Sequence, residues 1–229
     1  NKGTLDKYIG DAIIAFYGAP VSLDDHEYLA CLTCCQMNEK LEELRQKWKN
    51  EGDKWPEIVH NMRHRIGVNC GSLVTGNMGS TMRMNYTMMG DTVNLTARLE
   101  SGAKQYGIET QVGEKIYEAC KDRFTFRIID LAIVKGRSEP SKNYELISEK
   151  GKEPPLYKEL LPLWEQAMDL YLSQKWDNAI KVFKECDKLE EDYVGRPTTP
   201  SKLYISRCEE FKENSPGKDW DGSYQLKSK

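Results

Sequence analysis

The sequence predicts an α/β protein, with helices packed on a mixed sheet, followed by a smaller all-helical piece. Three observations carry that reading. Strand-like and helix-like stretches alternate through the first two thirds of the chain, with some neighbouring strands joined by short turns. A charged, proline-bearing stretch, S-E-K-G-K-E-P-P over residues 148–155, interrupts the alternation. Beyond it the apolar spacing is helical only. The expected division is residues 1–149 and residues 150–229.

The first element is a hairpin, with arms over residues 4–9 and 12–17 and a Gly10-Asp11 turn that projects Asp11 at its tip. Residues 24–49 follow as an amphipathic helix, capped by Asp24 or Asp25, with Leu29, Leu32, Cys35 or Gln36, Leu41, Leu44 and Trp48 at near-helical spacing. Residues 49–57 are a loop. His60 and His64 lie four apart between arginines. With no third ligand in view, a solvated basic segment is the better reading than a zinc pair.

Residues 65–69 and 72–75 are strand-like, and residues 76–84 read as an excursion rich in Gly, Met and Ser. Met78, Met82, Met84, Met88 and Met89 are adaptable apolar contacts of the kind that suit a partner-facing surface; for the last two, core packing is an equal reading. A strand is expected at 108–112, a short helix at 113–120, a strand pair's worth of alternation at 124–134 and a closing strand at 144–147. In the last third, residues 156–172 and 176–189 are two helices, and Thr199 caps a third that starts with Pro200 and runs to about residue 213.

Composition narrows the function. With 33 basic and 36 acidic residues the net charge is −3, which is no nucleic-acid footprint, so an anionic substrate has to be met by locally placed cations. No apolar run reaches transmembrane length, and the opening N-K-G-T-L-D-K has no signal-peptide pattern, so a soluble piece is expected. The seven cysteines are an odd, scattered set, as suits reduced thiols in a cytoplasmic compartment. Cys31 and Cys34 form a C-x-x-C pair within the long helix and read as small core residues.

The most informative stretch is Y-T-M-M-G-D-T-V-N-L-T-A-R-L-E over residues 86–100: a strand, a Gly90-Asp91 turn, then a helix with Asp91 as its N-cap. Asn94 and Arg98 sit four apart and share a helical face. An amide and a guanidinium on one stripe suit phosphate and sugar oxygens, although a lone N-x-x-x-R is more often an ordinary solvated face.

Its company decides between these readings. K-Y-I-G-D-A-I-I-A-F-Y-G-A-P over residues 7–20, R-I-G-V-N-C-G over 65–71, G-N-M-G-S over 76–80 and V-K-G-R-S-E-P over 134–140 stand in order around it. Together these segments resemble the class III nucleotidyl cyclases, the adenylyl and guanylyl cyclase catalytic domain, over residues 1–149. The resemblance implies a ferredoxin-like α+β fold and cyclisation of ATP to cyclic AMP and pyrophosphate, with two Mg2+ or Mn2+ ions per site. It assigns metal binding to Asp11, base reading to Lys7 and Thr87, ribose orientation to Asn94, α-phosphate stabilisation to Arg98 and the terminal phosphates to Lys135. It also implies a head-to-tail homodimer whose sites are shared between subunits.

Lys7 favours ATP, because guanylyl cyclases of this family carry a Glu at the matching position. In the family a second metal aspartate sits on a strand ahead of the hairpin, and no residue before Lys7 in this chain replaces it. The expectation is therefore a chain that needs upstream residues for its two-metal site. Ala167, Tyr171, Trp176, Ala179 and Phe183 occupy positions like those of a tetratricopeptide repeat. The ending around Arg207-Cys208 resembles the tail of bacterial cyclases held at the inner face of the plasma membrane beneath a sensor domain. The competing readings are a guanylate cyclase, a catalytically silent dimerisation module and a tetratricopeptide-type scaffold.

Overall fold

A computed structural model of the chain describes residues 1–132 and 141–224. The hairpin forms as expected, from β1 (Thr4–Ile9) and β2 (Ala12–Phe16), with Gly10 at φ 60° in its turn. A long helix, α1 (His26–Asn50), follows. Asp25 stands at its N-cap but makes no side-chain capping bond; its carboxylate instead accepts from Arg123 at 3.3 Å. The buried face is Ala30, Cys31, Cys34, Cys35, Leu41 and Arg45, while Leu29, Leu32, Leu44 and Trp48 are only half-buried. Of the expected stripe Cys35 and Leu41 are buried, and Cys31 and Cys34 join them on the inner face. Small side chains let α1 approach the sheet closely, and Cys31 and Cys120 are both fully enclosed.

After a short α2 (Glu57–His60), β3 (Ile66–Val68) leads to a second hairpin, β4 (Val74–Ser80) and β5 (Arg83–Met89). The excursion expected at 76–84 is thus the outer half of a regular ladder in which every residue of β4 has a partner on β5. Glycines weakened the strand signal there, but Gly76 and Gly79 pair normally. Then come α3 (Asp91–Tyr106), β6 (Thr110–Gly113), α4 (Glu114–Cys120), β7 (Phe124–Ala132) and β8 (Ser141–Glu149).

The main sheet has the order β3-β6-β8-β7, with β3 parallel to β6 and the other pairs antiparallel. This is the mixed sheet anticipated. Of the alternation at 124–134, residues 124–132 belong to the one strand β7 and the last two lie outside the described residues; the register of β7 against β8 shifts twice, at Thr125/Phe126 and Ile128/Asp130, which blurs the period. One core cluster joins Cys31, Cys34 and Cys35 of α1 to Val112, Ile116, Cys120, Phe124, Tyr144 and Leu146. A second joins Ala103 and Tyr106 of α3 to Ile108 and Ile129.

The C-terminal part contains α5 (Pro155–Leu172), α6 (Trp176–Leu189) and α7 (Pro200–Glu213). Thr199 caps α7, its side chain accepting from Lys202 N at 3.1 Å. Leu160, Trp164, Ala167, Tyr171, Ala179, Phe183 and Tyr204 fill the cluster between these helices. They dock on β7 through buried and part-buried polar contacts. Trp164 Nε1 donates to Ile128 O at 2.8 Å, and Tyr204 OH to Ile129 O at 2.8 Å. Arg207 grips both oxygens of Asp130 at 2.9 and 2.8 Å, and Tyr106 OH donates to the same carboxylate at 2.6 Å. Arg127 bridges Glu145 of β8, at 2.8 Å from Nε, and Glu190 at the end of α6. No helix among the described residues is long and apolar enough to cross a membrane.

Candidate active site

Lys7 and Thr87 are 80 residues apart in sequence, yet Lys7 Nζ donates to Thr87 Oγ1 at 3.1 Å. The two hairpins meet there, and Phe16 packs on Tyr86 beside the contact, with ring centroids 6.2 Å apart. The local cause is a bulge. The β1–β2 register jumps between Leu5 and Lys7, so Asp6 has no partner across the ladder. In a regular strand, adjacent side chains point to opposite faces. A bulge re-aims one of them, and here Asp6 and Lys7 both reach Thr87.

Asp6 is the residue that sequence reading missed. Its side chain is only 4% exposed, accepts from Thr87 Oγ1 at 3.0 Å and lies 3.5 Å from Lys7 Nζ, which is 43% exposed. Strand alternation alone puts the side chains of Asp6 and Lys7 on opposite faces. The chemical outcome is specific. A carboxylate only accepts, so the threonine proton is committed to Asp6; Lys7 takes one of the hydroxyl lone pairs, and Thr87 presents the other to any third group.

The helix α3 carries Asn94 and Arg98 one turn apart, both exposed. Its N-cap is Gly90 rather than the expected Asp91. Gly90 adopts φ 150°, a conformation that side chains disfavour. Asp91 is thereby moved into the first turn, where its charge complements the helix dipole. Gly67 of β3 sets the seating of α3: a Cβ there would stand 2.5 Å from both Glu100 N and Thr96 O. Only glycine lets strand and helix meet so closely, which fixes where Arg98 emerges.

Asp11 is exposed at the tip of the first hairpin. Its carboxylate is a hard donor of the kind magnesium and manganese take. Among the described residues it belongs to no cluster of three metal-ligating side chains, and Asp6 is already committed to Thr87 and Lys7. The chain's own donor set thus fits one ligand of a hard-ion site. His60 and His64 form no metal pair: His64 Nε2 is taken by Asn38 Oδ1 at 2.6 Å. Lys135 lies outside the described residues.

A profile of the "Adenylate and Guanylate cyclase catalytic domain" matches residues 6–148, well over half of the chain. The chain belongs to that family. The chain is 35% identical over 147 residues to "Adenylate cyclase 1" of Rhizobium meliloti (strain 1021), a match that covers 64% of this chain and 21% of that protein. "Adenylate cyclase, terminal-differentiation specific" of Dictyostelium discoideum is 27% identical over 210 residues, 90% of this chain and 9% of that protein. That second match is long enough to reach past the cyclase segment into the C-terminal helices. Among solved structures, the adenylyl cyclase CyaB from P. aeruginosa superimposes with a TM-score of 0.56 at 29% identity, covering 66% of this chain and 75% of that one. The mixed α+β architecture is therefore the cyclase fold. The chain spans about a fifth or less of the length of these two curated relatives.

Proposed function

We propose that this cyclase domain converts ATP to cyclic AMP and pyrophosphate, at sites shared between two copies of the chain. The observation that carries the choice of ATP is the Asp6–Thr87–Lys7 arrangement. Thr87 is held as an acceptor, which suits the exocyclic amine of adenine and refuses the carbonyl that guanine has in its place. Lys7 is left partly exposed, a donor for a ring nitrogen.

In the reaction the ribose 3′-oxygen forms a bond to the α-phosphorus while the bond to pyrophosphate breaks. Divalent ions, with Asp11 as one ligand, would supply acidification of the 3′-hydroxyl and charge neutralisation of the leaving group. Asn94 orients the ribose. Arg98 offers its fork to the α-phosphate oxygens as charge builds on them, and Lys135 holds the terminal phosphates as a point charge. Donors of this kind each contribute about 2–4 kcal/mol to the transition state.

The shared site has support in the apolar surface of the hairpins. Leu5, Tyr8, Ile9 and Ile13 of the first and Met82, Met84 and Met89 of the second are all more than half exposed. Such side chains suit burial against a second copy. The test of the function is turnover of ATP and GTP in the full-length protein with Mg2+ or Mn2+. A strong preference for ATP is expected, and comparable rates with both nucleotides would overturn it.

A further inference from the structure

We propose that His26, Glu27 and Cys70 form a binding site for a zinc-class divalent ion, separate from the hard-ion ligand Asp11. His26 and Glu27 open α1, and Cys70 lies just beyond the end of β3, more than forty residues away. Their donor atoms converge: His26 Nε2 is 3.1 Å from Glu27 Oε1 and 3.7 Å from Cys70 Sγ, and Cys70 Sγ is 3.3 Å from Glu27 Oε1. An ion at ordinary zinc bond lengths, with ligands at tetrahedral angles, requires N···O, N···S and O···S edges of about 3.4, 3.5 and 3.6 Å. The triangle matches each edge to within about 0.3 Å.

The imidazole is also oriented for this role. His26 Nδ1 lies 3.0 Å from Leu23 O, an acceptor only, so Nδ1–H would donate there in the ligating tautomer and leave Nε2, which faces Glu27 and Cys70, as the nitrogen able to take an ion in place of a proton. A ligating histidine whose other nitrogen donates to a carbonyl is the usual second layer of a zinc site. All three residues are half-buried, so the ligands are held by packing while a fourth position stays open to water. One thiolate and one carboxylate would balance the two positive charges.

The donor set decides the class of ion. Nitrogen, sulfur and oxygen together favour zinc and its neighbours over magnesium, which takes oxygen. Among the described residues these are the three metal-capable side chains that come together, whereas Cys31 and Cys34 are enclosed in the core and His64 is engaged with Asn38. An ion here would tie the start of α1 to the exit of β3.

The test is titration of the reduced chain with Co2+, then displacement by Zn2+. The expected result is one ion per chain, a thiolate-to-cobalt charge-transfer band and the intense visible bands of a tetrahedral site, all removed by Zn2+. Cys70→Ser should abolish the charge-transfer band. His26→Ala should weaken Zn2+ affinity by about tenfold or more, read by competition with a chromophoric chelator. His60→Ala should change nothing. Where circular dichroism shows that Cys70→Ser has unfolded, Glu27→Gln serves in its place, with loss of the Zn2+-induced rise in Tm as its readout. Cobalt binding without a charge-transfer band, a band that survives in folded Cys70→Ser, or a Tm unmoved by Zn2+ in the parent chain would each overturn the site.

Discussion

The Asp6 carboxylate and the Thr87 hydroxyl are 3.0 Å apart, and the proton between them belongs to the threonine. An amide at position 6 can donate instead, which lets the hydroxyl turn its proton outward toward a guanine carbonyl. Asp6→Asn should therefore lower the ratio of kcat/KM for ATP to that for GTP by about tenfold, the worth of one reversed hydrogen bond. An unchanged ratio in a folded variant would separate Thr87 from base choice.

Sharing of the site is tested by mixing two variants, Asp11→Ala and Asn94→Ala, each expected to be inactive alone. In a two-fold pair every subunit lends residues to both sites. Equal mixing with random pairing makes half of the pairs mixed, and each mixed pair keeps one intact site. Activity should return to about a quarter of the parent value. No recovery, with mixed pairs demonstrated by differential tagging, would place each site within one chain.

Arg207 and Asp130 are 2% and 1% exposed at their side chains, and Tyr106 and Tyr204 share the same carboxylate. Removing one partner leaves a buried charge without its counterpart, so Arg207→Leu should destabilise the protein by about 3–5 kcal/mol. Asp130→Asn combined with Arg207→Met should recover much of that loss. Urea unfolding curves measure both.

The pH profile should carry a mark of His64. Burial lowers its pKa, Arg45 and Arg63 lower it further, and Glu109 opposes them. The folded state thus binds a proton less readily than the unfolded chain, whose histidines titrate at about 6.5. His64 contributes stability above that value and loses it as pH falls through the lower folded pKa. His64→Gln should flatten the decline of stability on acidification. A variant with the parent's slope between about pH 5 and 7 would assign the decline to other groups.

The first hairpin, the helix bearing Asn94 and Arg98 and the three C-terminal helices were all legible in the sequence, because each has a local signature: a Gly-Asp turn, a helical period or a Thr-Pro cap. What escaped depends on distant partners. Asp6 joins Thr87 only because the strand bulges, and no one-dimensional period records a bulge. The sequence marks Cys31 and Cys34 as core residues, but not the α4 and sheet residues that cover them. His26 and Glu27 lacked meaning without Cys70, which the fold brings from another element. The His60/His64 spacing, by contrast, resembled a metal pair more than the side chains themselves do.

The charges buried where the C-terminal helices meet β7 bear on how this segment can be transplanted. Arg127 answers to Glu190, and Asp130 answers to Arg207. A chimaera joined within residues 148–155 would look sensible on a domain diagram. It would nonetheless deprive Arg127 and Asp130 of these partners and open the apolar seam around Ile128 and Ile129 to solvent. A portable unit therefore has to include the helices. Any foreign replacement would need an acid and an arginine of its own at the same two places.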